Sequence, residues 1–390
     1  MRQNLLWSLI LFIGSNFISA ADSYQYPLVS PGQGLLIEVQ IDNHAKPVKF
    51  LVDTGSTFTI FDKKISNILG PRKTPGELEE ILGENFRGGV LSEPGALNEL
   101  ELYGSVSMKA GDLELDNGYP IAISDFSDMR SFSDIEIMGI LGMSNLHKYA
   151  LEVDFNAKIL FLHKKLPQRY HSGFDTVAPL FWNNQNLPFM RMELNNNPLM
   201  MQLSTGVFYD HAQLTPDIIN YLEMSQGLNS KRSFRVSSID GDGIMEELKS
   251  SQFSHDNTSY PEFYISRGQE NILGLSFIAA HRVVMDFPRQ MAMFNFQPNL
   301  FQPREGNISG VFLARKQGKV IAYAVEEGSP AFKAGIIPGD VVLKINDEVA
   351  EQGEIWVFMD KLRECKQVKL SLVKGSMEPD AREVTLCAQE

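Results

Sequence analysis

Two short motifs occur twice in this chain, in the same order, and this repeat limits what the chain can fold into. The first motif is a hydrophobic run that ends in a small-residue turn, FLVDTG at 50–55 and MQLSTG at 201–206. The second motif is Ile-Leu-Gly, at 140–142 and again at 272–274, with Asp-Phe twelve residues after each glycine. Because both motifs recur in one order, the sequence predicts a duplicated structural unit.

The local patterns predict that both copies are built from β-strands. Short apolar, β-branched runs at 35–41 and 48–52 are separated by Asp42-Asn43, which is a turn signal. A chain of 390 residues is also too long for one typical core. We therefore predict a mainly β protein with a first domain at 24–165, a polar linker, a second domain at 175–297 and a third domain at 304–390.

The first twenty residues have the pattern of a signal peptide. Arg2 gives a positive start, residues 5–13 are nearly all apolar, and Ala20 is a small residue suited to cleavage. A membrane anchor is the alternative, but the apolar run is shorter than the roughly 20 residues that a bilayer span needs. We expect residues 1–20 to be a signal peptide and the product to be exported, periplasmic or secreted, with no stable membrane span after cleavage.

Charge and composition argue against several classes of partner. The formal net charge of −13 repels phosphate backbones, so nucleic acid is not an expected partner. The seven histidines are scattered without metal-ligand spacing, and the sequence indicates neither a metal nor a cofactor. Cys365 and Cys387 are the only cysteines, and an exported chain allows either a disulfide between them or two unpaired thiols.

The turn at 53–56 carries the residue types of an acid–base site. The strand before it is expected to deliver the Asp53 carboxylate to a cleft, and Gly55 allows a close approach because it has no Cβ. Thr54 can turn its hydroxyl inward to tie this turn to its counterpart, and Ser56 can hydrogen-bond the carboxylate. The alternative is an ordinary turn at a strand end, since Asp-Thr-Gly also occurs by accident.

These motifs resemble those of the pepsin-like and retropepsin-like aspartic proteases, at motif level over about 24–297. The resemblance implies two β lobes with a peptide-binding cleft between them and a flap hairpin over that cleft. The stretch Asn98 to Leu115 could supply the flap, with Tyr103-Gly104 near its tip, although an ordinary hairpin would have the same pattern. The resemblance also implies a catalytic role for Asp53.

The second copy departs from that family, because Ser204 stands where a second aspartate belongs. Thr205 and Gly206 remain, so we expect the loop shape to be kept and its charge to be lost. A hydroxyl near Asp53 would favour the carboxylate and hold its pKa at or below the usual value near 3.9. Serine cannot replace a carboxylic acid as a proton donor. A serine hydrolase built from Ser204, His211 and Asp210 is a different alternative, but the sequence lacks the nucleophile-elbow motif of that class.

Three interpretations of the Ser204 departure stay open. Another acid, such as Asp210 or Asp53 of a second molecule, could complete the pair, although neither is favoured by the sequence. The chain could be a pseudoprotease that binds peptides without cutting them. It could also be impaired, with Asp53 and Ser204 orienting a water at a low rate.

The C-terminal region resembles the PDZ domains of bacterial exported proteases. The residues that carry this resemblance are GSPA at 328–331, AGI at 334–336 and PGDVV at 338–342. Within the region, Ser329 and Pro330 are predicted to start a short helix that Gly335 closes.

The PDZ resemblance implies a groove for a peptide. Ile308, Ser309, Gly310 and Val311 would cradle a C-terminal carboxylate, and the following strand would pair with the peptide beside a helix that bears Phe358. Ser309 departs from the large hydrophobic residue usual in that loop. A degraded PDZ domain that only packs on the protease lobes is the alternative.

Together these patterns predict an exported, bilobal, aspartic-endopeptidase-like protein that acts on peptides or unfolded proteins through Asp53 and recognises a peptide or partner through a PDZ domain. The main alternative is a catalytically inactive peptide-binding protein of the same fold. A scaffold assembled through the PDZ domain alone is a third class.

Overall fold

A computed structural model describes most of the chain and is dominated by strands. It describes residues 22–28, 34–82, 101–115, 118–127, 135–171, 173–207, 211–238, 241–256, 258–260, 262–297, 308–316, 318–364, 366–374 and 381–387. Of the described residues, 47% lie in strands and 16% in helices, so the prediction of a mainly β protein is confirmed. The predicted signal peptide, Asp210 and Cys365 lie outside the described residues.

The first part of the chain, to residue 171, contains eleven described strands. They are β1 Ser23–Pro27, β2 Leu36–Ile41, β3 Val48–Val52, β4 Ile60–Asp62, β5 Glu101–Tyr103, β6 Met108–Ala110, β7 Leu113–Glu114, β8 Ile121–Ser124, β9 Ile137–Leu141, β10 Ala150–Asp154 and β11 Ile159–His163. Its helices are α1 Pro75–Leu82 and α2 Met143–Leu146, with 3-10 turns at Lys63–Ile68 and Gln168–His171.

The second part, 173–297, begins at β12 Thr176–Pro179 and β13 Phe181–Trp182. It continues with β14 Pro188–Leu194, β15 Asn197–Leu203, β16 Ala212–Leu214, β17 Ser230–Ser238, β18 Gly241–Ser250, β19 Phe253–His255, β20 Thr258–Ser259, β21 Phe263–Arg267, β22 Ile272–Leu273, β23 His281–Asp286 and β24 Met291–Phe296. Its helices are α3 Pro216–Met224 and α4 Leu275–Ala279.

The third part, from residue 308, has strands β25 Val311–Lys316, β26 Lys319–Glu326, β27 Val341–Ile345, β28 Glu348–Val349, β29 Val368–Val373 and β30 Arg382–Leu386. Its helices are α5 Pro330–Lys333 and α6 Ile355–Glu364, with a 3-10 turn at Ala350–Gln352.

The repeated motifs occupy the same topology in the first and second parts. Strand β3 runs parallel to β9 with Val52 opposite Leu141, and β15 runs parallel to β22 with Leu203 opposite Leu273. The strand after each turn then pairs antiparallel with the Ile-Leu-Gly strand, as β4 with β9 and β16 with β22. The sequence repeat is therefore a repeat of strand pairing, and in each copy it holds the turn at the end of a buried strand.

One sheet joins the first and second parts, in the order β1-β11-β10-β23-β24-β12. At its centre β10 pairs antiparallel with β23, with Ala150 opposite Asp286 and Asp154 opposite Arg282, so the junction is symmetric. A single cluster of buried side chains runs through both parts, from Tyr26 to Phe294. The sequence did not predict this shared sheet, because strand patterns do not identify partners more than a hundred residues away.

Turn and cap signals read from the sequence match the local backbone. Asn43, in the turn predicted between β2 and β3, has φ of 66°, a left-handed conformation that asparagine tolerates. Asn195 and Asn196 form the equivalent turn between β14 and β15, with φ of 51° and 61°. The Ser329 side chain accepts a hydrogen bond from Phe332 N at the start of α5. Gly335, with φ of 73°, ends that helix as predicted.

The third part has its own core and is attached to the second part by strand pairing. Its core includes Val311, Phe358 and Leu370, all nearly without exposed surface. Strand β26 also pairs antiparallel with β17, where Phe234 lies opposite Glu326 and Val236 opposite Ala324. Within the described ranges, none of the helices has the length and apolar character that crossing a bilayer requires.

Candidate functional site

The two repeated turns lie against each other and are joined by four hydrogen bonds, which we call the threonine clasp. Thr54 Oγ1 donates to Leu203 O and Thr205 Oγ1 donates to Val52 O, each at 2.7 Å. Each hydroxyl also accepts from the other threonine's backbone N–H, at 3.1 and 3.2 Å. Both threonines have 0% exposed surface. The clasp therefore fixes two turns that are 151 residues apart in sequence.

The clasp places Asp53 and Ser204 side by side. Ser204 Oγ donates to Asp53 Oδ1 at 3.2 Å. Gly55 N donates to Asp53 Oδ1 at 2.7 Å, and Gly206 N donates to Ser204 Oγ at 3.2 Å. In each turn, therefore, the glycine N–H donates to the side chain of the residue two positions before it. The Ser204 hydroxyl occupies the position that corresponds to one carboxylate oxygen of Asp53.

Both glycines are required by the close approach of the opposite turn. A Cβ built on Gly206 would lie 2.4 Å from Asp53 Cγ, and a Cβ on Gly55 would lie 2.3 Å from Ser204 Oγ. Neither distance can be tolerated without a shift of the turn. The sequence predicted a close approach at Gly55, and the structure shows that each glycine makes room for the side chain of the other turn.

The environment of Asp53 changes its acidity in the direction opposite to our expectation. The residue keeps some exposed surface, but protein atoms surround its carboxyl group. Burial raises the pKa of Asp53 above its usual value, and the hydrogen bonds from Gly55 and Ser204 offset this only in part. The prediction that the Ser204 hydroxyl would hold this pKa at or below its usual value is therefore wrong, because it omitted desolvation.

Ser56 also differs from its predicted role. Its Oγ donates to Phe58 O at 2.8 Å and makes no bond to the carboxylate. The Ser56 carbonyl accepts from Met143 N at 2.7 Å, at the start of α2. Ser56 therefore fastens the turn to the helix behind it.

Gln202 is a polar residue near the site that the sequence reading missed. Its Nε2 donates to Gly55 O at 3.5 Å, and its residue exposure is 3%. In the first copy of the motif Leu51 holds this position. The sequence signal was the replacement of an apolar strand residue in the first copy by a glutamine in the second.

The His211 ring is buried and is engaged by a backbone hydrogen bond. It has 4% exposed surface, and its Nδ1 accepts a hydrogen bond from Tyr264 N at 3.1 Å. That nitrogen cannot also accept a proton from a serine hydroxyl. Among the residues described, no group of three histidine, cysteine or acidic side chains is placed to hold a metal ion.

The stretch expected to form a flap packs on the body of the protein where it is described, from 101 onward. Tyr103 ends β5, which pairs with β8, and Gly104 N donates to Pro71 O at 3.1 Å. The hairpin that follows turns at 111–112, and its Met108 and Leu113 are buried in the main core. Tyr103-Gly104 is therefore not the tip of a flap.

The loop expected to cradle a carboxylate already uses most of its N–H groups. Ile308 N donates to Arg363 O at 3.4 Å and Ser309 N donates to Leu362 O at 3.3 Å, both in the last turn of α6. Val311 N donates to Ser309 Oγ at 3.3 Å. The Ser309 side chain faces inward, with 0% of the residue exposed, while Ile308 is 55% exposed.

Gly310 and Phe358 both support the core of the third part. Gly310 has φ of 73°, and a Cβ on it would lie 2.1 Å from Ser329 Cβ. Phe358 has 0% exposed surface, and a Cβ on Gly353 would lie 2.2 Å from its ring. The Phe358 side chain thus points from α6 into the core of the third part.

Comparison with known proteins identifies the third part of the chain. Residues 321–359, from β26 into α6, match the PDZ domain family. Comparison of the whole chain with curated proteins gave no significant match. Cys387 in the same region is disulfide-bonded. The protein is a mainly β chain that carries a PDZ domain near its C terminus.

Proposed function

We propose that this chain is an exported, aspartic-endopeptidase-like protein with lobes at 24–165 and 175–297. Its interlobe cleft takes an extended peptide or a segment of unfolded protein, and Asp53 lies at the base of that cleft. The threonine clasp is the observation that carries this proposal, because it holds Asp53 and Ser204 3.2 Å apart from opposite halves of the chain. The PDZ domain, taken as 304–390, supplies recognition of a peptide or partner.

In this proposal Asp53 acts alone as a general base. Its ionised carboxylate takes a proton from a water that attacks the peptide carbonyl, and the Ser204 hydroxyl helps to orient that water. The protonated Asp53 then gives this proton to the amide nitrogen as the C–N bond breaks, which restores the carboxylate. A second carboxyl group would donate a proton to the carbonyl oxygen, and serine is far too weak an acid to do so. Cleavage is therefore expected to be slow relative to a site with two carboxyl groups.

The raised pKa of Asp53 sets the expected pH dependence. A general base works only when ionised, so the rate should rise with pH through the raised pKa and then level off. A pair of carboxyl groups that share one proton gives a bell-shaped profile instead, with an optimum between its two apparent pKa values. The shape of the profile thus reports how many carboxyl groups take part.

A second function is favoured by the position of Ser204. Its Oγ fills the place of a carboxylate oxygen and accepts the Gly206 N–H, so the loop is complete without a second acid. The same cleft would then bind peptides without cutting them, as a pseudoprotease.

The test compares three forms of the full chain on unfolded, fluorescein-labelled casein over a range of pH. We expect slow cleavage by the parent, none by Asp53→Asn, and a faster, bell-shaped profile for Ser204→Asp. Asp112→Asn, an exposed residue in the β6–β7 turn, is the matched control and should behave as the parent.

Two other outcomes decide between the functions. Casein binding by the parent without cleavage, combined with gain of cleavage in Ser204→Asp, supports the pseudoprotease. Absence of both binding and cleavage in every form would refute the peptide-cleft proposal. Export is tested separately, since N-terminal sequencing of the protein made in cells should begin at Ala21.

A further inference from the structure

The PDZ domain already holds a β-strand of its own chain, in the hairpin β17–β18. Strand β17 pairs antiparallel with β26, with Phe234 opposite Glu326 and Arg235 opposite Val325. Just beyond the ladder, Glu327 N donates to Ser233 O at 2.9 Å. The contact therefore uses main-chain hydrogen bonds, as strand addition to a sheet edge does.

Charge complementarity fixes the register of this contact. The Arg232 guanidinium binds both carboxylate oxygens of Glu326, with Nε to Oε1 at 2.6 Å, and its Nη1 donates to Glu247 Oε1 at 3.0 Å. The side chains of Arg232, Glu326 and Glu247 are 19%, 19% and 7% exposed. A guanidinium shared by carboxylates from β18 and from the PDZ domain, mostly out of solvent, is specific to one alignment.

Aromatic contacts extend the junction to the strand that would pair with a peptide. The rings of Phe234 and Phe312 lie edge to face with centroids 5.5 Å apart, and Phe234 is 2% exposed. The Arg235 guanidinium lies 4.9 Å from the centre of the Phe332 ring. Phe312 belongs to β25, so the hairpin contacts two strands of the PDZ domain and also α5.

The groove beside β25 is closed by helix α6. The N–H groups of Ile308 and Ser309 cap the last carbonyl groups of that helix. Farther along β25, Leu313 N donates to Met359 Sδ at 3.3 Å. A carboxylate bound at this loop would displace these caps and lie against the negative end of the α6 dipole. The loop is thus unfavourable for a free C terminus.

We propose that the partner of this PDZ domain is the hairpin β17–β18 of the same chain, and that the groove does not select free C-terminal carboxylates. The domain acts as a clamp that fixes the outer part of the hairpin. This inference concerns the recognition half of the proposed function, and it does not depend on whether Asp53 cleaves peptides.

The first experiment tests the groove in the full chain. Fluorescein-labelled heptapeptides ending in Val, Leu, Ile or Phe are titrated in two forms, with a free C-terminal carboxylate and with a C-terminal amide. We expect the two forms to differ in affinity by less than about threefold, or not to bind, since the N–H groups of Ile308, Ser309 and Val311 are already bonded within the domain. A larger preference for the free carboxylate would overturn the proposal.

The second experiment tests the clamp by hydrogen exchange. In Arg232→Ala and in Glu326→Gln we expect the amides of β17 at 233–236 to exchange at least about threefold faster. Amides in β14 and β15 serve as an internal check that the fold is intact. Arg191→Ala, which removes an exposed arginine 3.8 Å from Glu193, is the control and should leave β17 unchanged. A smaller change at β17 in both junction variants would refute the clamp.

Discussion

Replacing Thr205 with valine tests whether the threonine clasp holds the two repeated turns together. Valine keeps the shape of threonine and removes the hydroxyl. The change deletes the bond from Thr205 Oγ1 to Val52 O and the bond from Thr54 N to Thr205 Oγ1. Because both threonines have 0% exposed surface, water cannot easily replace the lost partners.

The magnitude follows from the two backbone groups left without a partner. A buried polar group that loses its hydrogen bond costs about 1–3 kcal/mol, and some relaxation of the turns will reduce the sum. We expect Thr205→Val to lower the free energy of unfolding by about 2–4 kcal/mol. Thr54→Val should cost a similar amount, since it deletes the two symmetric bonds.

The double variant separates a clasp from two independent bond pairs. No hydrogen bond is shared by the two substitutions, so independent effects would add. If the turns separate once either threonine is lost, the double variant should cost clearly less than the sum. Urea unfolding followed by circular dichroism measures all three free energies.

Thr59→Val is the matched control for this series. Thr59 is equally buried, and its hydroxyl donates to Asn145 Oδ1 at 2.5 Å and accepts from Gly142 N at 3.2 Å, all within the first part of the chain. It should lower stability and combine additively with Thr205→Val. Losses of unfolding free energy below about 0.5 kcal/mol for both clasp variants would refute the reasoning, because substitutions of ordinary surface residues have effects of that size.

Three further predictions concern charge and space. Asp53→Asn should stabilise the protein at neutral pH. The pKa of Asp53 is raised in the folded state, so ionising this buried carboxyl group lowers the free energy of unfolding as pH rises above the unfolded value of 3.8, and asparagine avoids that cost. Gly206→Ala should lower the free energy of unfolding by about 1–3 kcal/mol, because the added methyl group would collide with Asp53. Gly118→Ala should leave the free energy of unfolding nearly unchanged, because a Cβ there meets open space. Glu152→Ala should lower the free energy of unfolding by about 2–4 kcal/mol, because buried His163 and Tyr170 lose the carboxylate that they bond and Arg282 loses its main partner.

Each of these has a measurement that can contradict it. Chemical unfolding of Asp53→Asn from pH 3 to 8 should show its advantage shrink toward low pH, and an advantage independent of pH would be contrary. Equal melting temperatures for the two alanine variants would remove the steric argument at Gly206. For Glu152→Ala the control is Glu38→Ala, which changes an exposed glutamate. Similar small losses of unfolding free energy in both variants would show that the contacts of Glu152 contribute little.

Glu152 also gives the chain an acid-sensitive link between its two halves. Burial alone would raise its pKa, but hydrogen bonds from His163, Tyr170 and Arg282 outweigh burial and lower it. A depressed folded-state pKa contributes stability above the unfolded value of 4.5, and that contribution is lost as pH falls through the folded value. Strands β10 and β23 carry Glu152 and Arg282, so acid should weaken the shared sheet.

Much of the local structure could be predicted from the sequence. The β-branched runs, the turn at Asp42-Asn43 and the Ser329 cap depend on neighbours within a few residues, and they lie where the patterns indicated. The duplicated turns were also found, because two motifs in fixed order are a strong signal. The flap at Tyr103-Gly104 and the carboxylate bond of Ser56 were wrong, since the same residues also suit an ordinary strand end and a helix anchor.

The sequence by itself determined the β class, the position of Asp53 at a turn and the absence of a second aspartate at 204. Only the tertiary structure decided what those residues do together. The clasp, the shared sheet and the hairpin on the PDZ domain join residues separated by roughly a hundred positions or more, and packing sets their register. The raised pKa of Asp53 likewise follows from burial, which no spacing of residues reveals, and the hydrogen bonds from Ile308 and Ser309 to the end of α6 depend on tertiary packing.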